Sequence, residues 1–214
     1  MHKLANEAEP DTLGIALYAS LMPADRHSTE DTYLGPTGGC CLLTVACARD
    51  LIATMGYFFD PHYFCYCEDT DLVLRANLLG YEPAYTDTLV ALHQGQASSG
   101  GAARDDFIAY HGVRNVIWMH VKLMPTALLW RHSGWLLLAH TLWVGHKALA
   151  GNIALPYRVY RDALRRVPEL WAERRRLGPV WRVPAQQIAS RMHSRFYRKG
   201  YVWGVLRQLW TPGT

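Results

Sequence analysis

Tyr66-Cys67-Glu68-Asp69-Thr70-Asp71-Leu72-Val73-Leu74-Arg75 sets three carboxylates directly ahead of an apolar-periodic run. Leu72, Leu74, Leu78 and Leu79 carry that run to Gly80, so the spacing predicts a helix from Asp69 that is stopped by a glycine C-cap. Acids at a helix start are favoured by its dipole and free N–H groups, and on position alone Asp69 is a cap. The surroundings point further. Glu68, Asp69 and Asp71 follow the aromatic cluster Tyr57, Phe58, Phe59, Tyr63, Phe64 and Tyr66. Carboxylates crowded among aromatics raise one another's pKa, and such a group is a candidate general base or metal ligand.

Upstream of this stretch, Gly38-Gly39 precedes the apolar run 40–45, which reads as a buried strand, and residues 46–55 read as a helix stopped by Gly56. Downstream, 81–85 and 88–93 are short strand-like segments before a Gly/Ser-rich loop at 94–101. Residues 1–36 are broken by Pro10, Gly14, Pro23, Gly35 and Pro36 and leave room for one short strand at 13–18. From 105 to 123 an amphipathic helix is expected, ending before Pro125. Three regions result: a loop-rich 1–36, an α/β portion at 37–123, and a helical, basic tail at 124–214.

Composition sets the limits. The chain has 214 residues, 50% hydrophobic and 19% charged, which fits one globular domain with or without an appendage and excludes disorder as the main state. Its five cysteines fall between Cys40 and Cys67, and no apolar leader follows Met1. Reduced thiols in a cytoplasmic setting are therefore expected. Charge is unevenly spread. Residues 1–150 hold 9 Lys and Arg against 15 Asp and Glu, net −6, whereas 151–214 hold 13 against 3, net +10. The apolar stretch 134–144 is shorter than the roughly 20 residues a membrane span needs. With Trp130, Trp135 and Trp143 as anchors it reads as an interfacial helix, or else as a core helix. The tail interleaves Trp171, Trp181, Trp203 and Trp210 with Arg174-Arg175-Arg176, Arg191, Arg195, Arg198 and Lys199. That mixture favours an anionic lipid surface over nucleic acid.

Five pieces occur in order: Thr37-Gly38-Gly39-Cys40-Cys41-Leu42-Leu43; Met55-Gly56-Tyr57-Phe58-Phe59-Asp60; the acidic stretch from Tyr66 to Arg75; Leu79-Gly80-Tyr81; and His93-Gln94-Gly95-Gln96-Ala97-Ser98. Together, with Arg114-Asn115 downstream, they resemble family 2 glycosyltransferases of the rhamnosyltransferase-like kind. The resemblance implies an α/β class, namely a partial GT-A (nucleotide-diphospho-sugar transferase) fold lacking its N-terminal βαβ half and followed by amphipathic basic helices. It implies inverting sugar transfer from a nucleotide-diphosphate donor to a glycan or lipid-linked acceptor in cell-surface polysaccharide synthesis. Asp69 would be the catalytic base; Glu68, Asp71, Gly38, Gly39 and Arg75 would serve the acceptor side, Glu68 and Asp71 by shaping its pocket or by holding the loop, with Asp71 and Arg75 also read as an i,i+4 pair. His93 would supply one ligand to the divalent Mn or Mg ion expected for the complete enzyme. No Asp-x-Asp donor motif precedes residue 37, so activity of this chain alone is not expected. The resemblance and the tail together place it at the cytoplasmic face of the membrane. The alternative is an inactive, truncated transferase acting as a membrane-surface or protein-interaction module.

Overall fold

The computed structural model describes residues 1–4, 6–93 and 102–201. Four short strands open the chain: β1 (His2–Lys3), β2 (Asn6–Pro10), β3 (Ile15–Tyr18) and β4 (Pro23–Asp25). Then come α1 (Val45–Met55), α2 (Glu68–Leu78), β5 (Leu92–His93), α3 (Ala102–Leu123), α4 (Thr126–Arg131) and α5 (Ser133–Leu149). The chain continues with α6 (Ala154–Arg165), α7 (Val167–Leu177), α8 (Ala185–Ala189) and β6 (Met192–His193). The strands form two small sheets, ordered β2-β1-β5 and β4-β3-β6. In each, the middle strand pairs antiparallel with one neighbour and parallel with the other. The class is mixed α/β, with helix at 52% of the chain outweighing the short strands.

Local chemistry explains the helix ends. Thr44 Oγ1 accepts the Cys47 N–H at 3.2 Å to open α1. Gly56, at φ 82, closes it by returning its N–H to the Ile52 carbonyl at 2.7 Å. The expected strand at 40–45 is absent: Val45 already begins α1, and Leu42 is 99% exposed. Of the two segments expected at 81–85 and 88–93, only Leu92–His93 pairs, because β1 presents an edge just two residues long.

One hydrophobic cluster draws on all three sequence regions, with Leu17, Leu34, Leu74, Met119, Leu128 and Ile188 fully or almost fully buried. Burying each such side chain stabilises by about 1.5–3 kcal/mol. The start of the basic tail joins the fold as well. Ala163 and Leu170 are buried against Trp118, whose Nε1–H donates to the Ala163 carbonyl at 3.2 Å. The Arg114 and Arg166 guanidinium groups lie 4.3 and 4.7 Å from its ring. By contrast, no residue of α5 is fully buried, although Leu136 packs against the main cluster. Among the described residues no helix is long and apolar enough to cross a membrane. The five thiols are free.

Candidate functional site

The entry to α2 is strained. Phe64, Tyr66 and Cys67 have φ values of 64, 61 and 69, a left-handed conformation that costs a non-glycine residue about 1–3 kcal/mol and persists only when its surroundings over-determine it. Asn115 on α3 supplies that constraint. Its Nδ2 amide donates to the carbonyls of Tyr63, Cys65 and Tyr66 at 3.0, 2.8 and 2.7 Å. Arg114 Nη2 adds a bond to the Tyr63 carbonyl at 3.3 Å. The Arg114-Asn115 pair therefore braces the loop that presents the acids.

Behind the loop lies a buried charge network. Arg75 Nε donates to Asp71 Oδ2 at 2.7 Å, and Tyr63 donates its hydroxyl to Asp71 Oδ1 at 2.9 Å. Lys122 Nζ stands 2.7 Å from both Asp60 Oδ2 and Asp71 Oδ1. Two carboxylates thus face two cations, and the hydrogen bonds satisfy most of the polar atoms, as burial of charge requires. Burial alone would push the Asp60 carboxyl up, but the Lys122 ammonium, with hydrogen bonds from Lys122 and His62, holds it well below the usual carboxylate range. The expectation that Asp71 and Arg75 bind the acceptor is corrected here. Both are 0% exposed and engaged with each other, so they hold the loop instead. For the same reason Asp69-Thr70-Asp71 does not act as a two-carboxylate metal clamp.

Asp69 and Glu68 sit at a cavity of about 460 Å³ between α2, α3, α5 and the segment after β6, whose walls include Gly112, His140, Trp143, Tyr197 and Tyr201. The two acids differ in kind. Asp69 Oδ2 accepts the Gly38 N–H at 2.9 Å, and Oδ1 accepts the Thr70 N–H at 2.7 Å. Glu68 Oε2 is buried with no hydrogen-bond partner among the described residues. Burial pushes the Glu68 carboxyl up, its own N–H opposes, and the Asp69 charge adds to the rise. Gly38 and Gly39 do not approach a ligand site as expected. A Cβ on Gly38 would stand 3.2 Å from Asp69 Cβ, and one on Gly39 would stand 2.9 Å from the Met1 methyl. The first glycine lets the 37–39 loop close onto Asp69, and the second makes room for Met1.

Two polar residues of this cavity escaped the sequence reading. Asp25, at the end of β4, has its carboxyl pushed up by burial; the His27 and Arg198 charges oppose the rise, and those of Asp69 and Asp11 add to it. His140, midway along α5, has Nδ1 2.9 Å from the Tyr160 hydroxyl oxygen, and burial pushes its imidazole down. Neither residue belongs to a local motif, and only the tertiary fold brings them to Asp69.

His93 lies on β5 with Nδ1 2.6 Å from Asp11 Oδ2. Among the described residues no group of three or more His, Cys, Asp and Glu side chains gathers as a metal ion needs. Among the described residues His93 has one carboxylate, that of Asp11, beside it, and the other ligands of the Mn or Mg ion expected for the complete enzyme are not gathered there. No family model, characterised protein or solved structure matches the chain.

Proposed function

We propose that the chain is the acceptor-side portion of an inverting sugar transferase of the family 2, GT-A type, working at a membrane surface on a glycan or lipid-linked acceptor. The observation that carries the reading is the braced, left-handed turn that sets Glu68 and Asp69 at the rim of a cavity with aromatic walls. Strain held this firmly is concentrated where side-chain position matters for chemistry. In this reading an acceptor hydroxyl enters the cavity, a carboxylate takes its proton, and the oxygen attacks the anomeric carbon of a donor sugar from the side opposite the leaving nucleotide. The diphosphate half of the donor is bound by another portion or another chain.

Asp69 is the base by its place in the motif. A second assignment rests on a separate observation: Asp69 has both oxygens engaged, whereas Glu68 keeps one oxygen unpartnered and a carboxyl tuned upward. A group with those properties is the better proton acceptor near neutral pH.

Membrane association is supported by α4 and α5. From residue 107 to 161 the sequence contains no Asp or Glu, and Trp130, Trp135, Leu137 and Leu149 are exposed. Apolar side chains on a cationic background suit an anionic bilayer surface.

The test is a transfer assay with labelled nucleotide sugars and vesicles of host lipid, in host extract from a strain lacking this chain, so that any donor-side partner is supplied. Label should enter the lipid or glycan fraction and be lost with Asp69→Asn while nucleotide binding survives. Loss with Glu68→Gln and retention with Asp69→Asn would transfer the base role to Glu68. Label that neither substitution reduces would sink the transferase reading and leave the membrane module.

A further inference from the structure

The cavity beside Asp69, at about 460 Å³, has the size of a small-molecule site, and most of its lining is apolar or aromatic. Ile108, Val113 and Val116 of α3 face it, and Tyr66, Trp143 and Tyr197 bring rings to it. Gly112 lies midway along α3, where glycine weakens a helix relative to alanine. A Cβ at this position would meet no atom within 4 Å, so the missing side chain keeps that part of the cavity open.

Its charges have one sign. Asp25, Glu68 and Asp69 line the cavity, and among the described residues no Lys or Arg does. His140 is the one basic side chain on the wall, and burial pushes its imidazole down, so it is uncharged at neutral pH. Burial raises the Glu68 and Asp25 carboxyls, and the Asp69 charge adds to both rises, so the three acids act on one another. The His27 and Arg198 charges oppose the rise at Asp25, but neither side chain belongs to the cavity wall. Two oxygens of the lining residues are also unsatisfied. Ser20 is 0% exposed, and its Oγ, like Glu68 Oε2, is buried with no hydrogen-bond partner among the described residues. A buried oxygen left unpaired is a cost that a donor on a ligand removes.

We infer that the cavity binds an organic ammonium ion: an apolar or aromatic body lies between α3 and α5, and the ammonium group lies against Glu68 and Asp69. An ammonium group carries N–H donors only, which suits carboxylate and hydroxyl oxygens, and aromatic faces attract a cation. An anion of the same shape meets repulsion, and a neutral alcohol leaves the carboxylate charge unbalanced. The inference rests on the walls and charge of the cavity and does not require sugar transfer to occur.

Phenylpropylamine, phenylpropanol and phenylpropanoate share one shape and differ in charge, and isothermal titration of each into the full chain at pH 7 and fixed ionic strength tests the inference. The amine should bind saturably and at least tenfold more tightly than the alcohol, with the carboxylate weakest. Glu68→Gln should weaken the amine at least fivefold and leave the alcohol within twofold. Asp87→Asn, at an exposed acid outside the cavity, should change neither. Gly112→Leu adds bulk where a Cβ is unopposed, so circular dichroism should report an intact fold while binding of amine and alcohol is abolished. No saturable binding of the amine, an alcohol or carboxylate that binds as tightly, equal losses in Glu68→Gln and Asp87→Asn, or binding that survives Gly112→Leu would each overturn the site. The transfer assay is read separately. Amine selectivity without label transfer removes the transferase reading and keeps the ammonium site, and label transfer without amine selectivity does the reverse.

Discussion

Between Tyr57 and Leu78 the molecule buries charge, and between Thr126 and Leu149 it exposes hydrocarbon. Asp60, Asp71 and Arg75 lie out of solvent, with Lys122 of α3 buried against them, whereas Trp130 is 77% and Leu137 70% exposed. Exposed apolar side chains scattered singly need no explanation, but buried ions and clustered exposed aromatics do. In the first region, charge complementarity fixes the backbone that presents Glu68 and Asp69. In the second, apolar side chains are turned outward, and among the described residues none covers Trp130 or Leu137. If the outward apolar face is the site of attachment proposed above, stability and attachment are assigned to separate regions, and each can be disturbed without the other.

The largest effect should come from Lys122→Met, which leaves Asp60 and Asp71 buried with one cation between them. A loss of about 3–5 kcal/mol is expected from such an unpaired buried charge, read by urea denaturation; a loss below 1 would break the contrast. Next is a pH effect at His120, which is buried with Nε2 2.8 Å from the Leu21 carbonyl. Burial pushes its imidazole down to about 4. The folded state therefore holds it neutral while the unfolded chain protonates near its ordinary value of about 6.5. Its contribution is complete above pH 6.5 and is lost as pH falls toward 4, on the order of 3 kcal/mol in all. Stability curves at pH 7 and pH 4.5 should show this loss, and His120→Gln should flatten it. The depressed Asp60 carboxyl does not confuse the window, because what it adds is present above pH 4 and fades only in stronger acid.

Asn115→Ala frees three carbonyls and should cost about 1–3 kcal/mol. Its mark beyond stability is faster amide exchange across 63–67 with α1 unchanged. The smallest effect on folding is expected on the other side of the comparison. Trp130→Ser with Leu137→Ser should change stability by no more than about 0.5 kcal/mol and yet reduce pelleting with anionic vesicles at least tenfold. Equal pelleting would remove the membrane role from this surface.

The legible parts of the fold were those with local causes. Gly56 and Gly80 end α1 and α2 where their αL geometry is needed, and the i,i+4 pair of Asp71 and Arg75 forms as its spacing dictates. Residues 40–45 misled because a short apolar run does not declare whether a partner strand exists, and here none does. The strained turn at 64–67 carries no glycine to announce it; it depends on Asn115, some fifty residues away. Lys122, Asp25 and His140 were likewise beyond reach, since each gains its meaning from a neighbour distant in sequence. In the candidate site the acids were visible, but the division between a tethered Asp69 and an untethered Glu68 exists only in three dimensions.

The outward face of α5 has a consequence at the bench. In plain buffer the hydrocarbon around Leu137, uncovered by the described residues, can pair with another copy of itself, so particle size should climb with concentration and fall back on adding mild detergent. How the protein is prepared then decides which species is assayed, and a preparation made without lipid reports on self-contact before anything else.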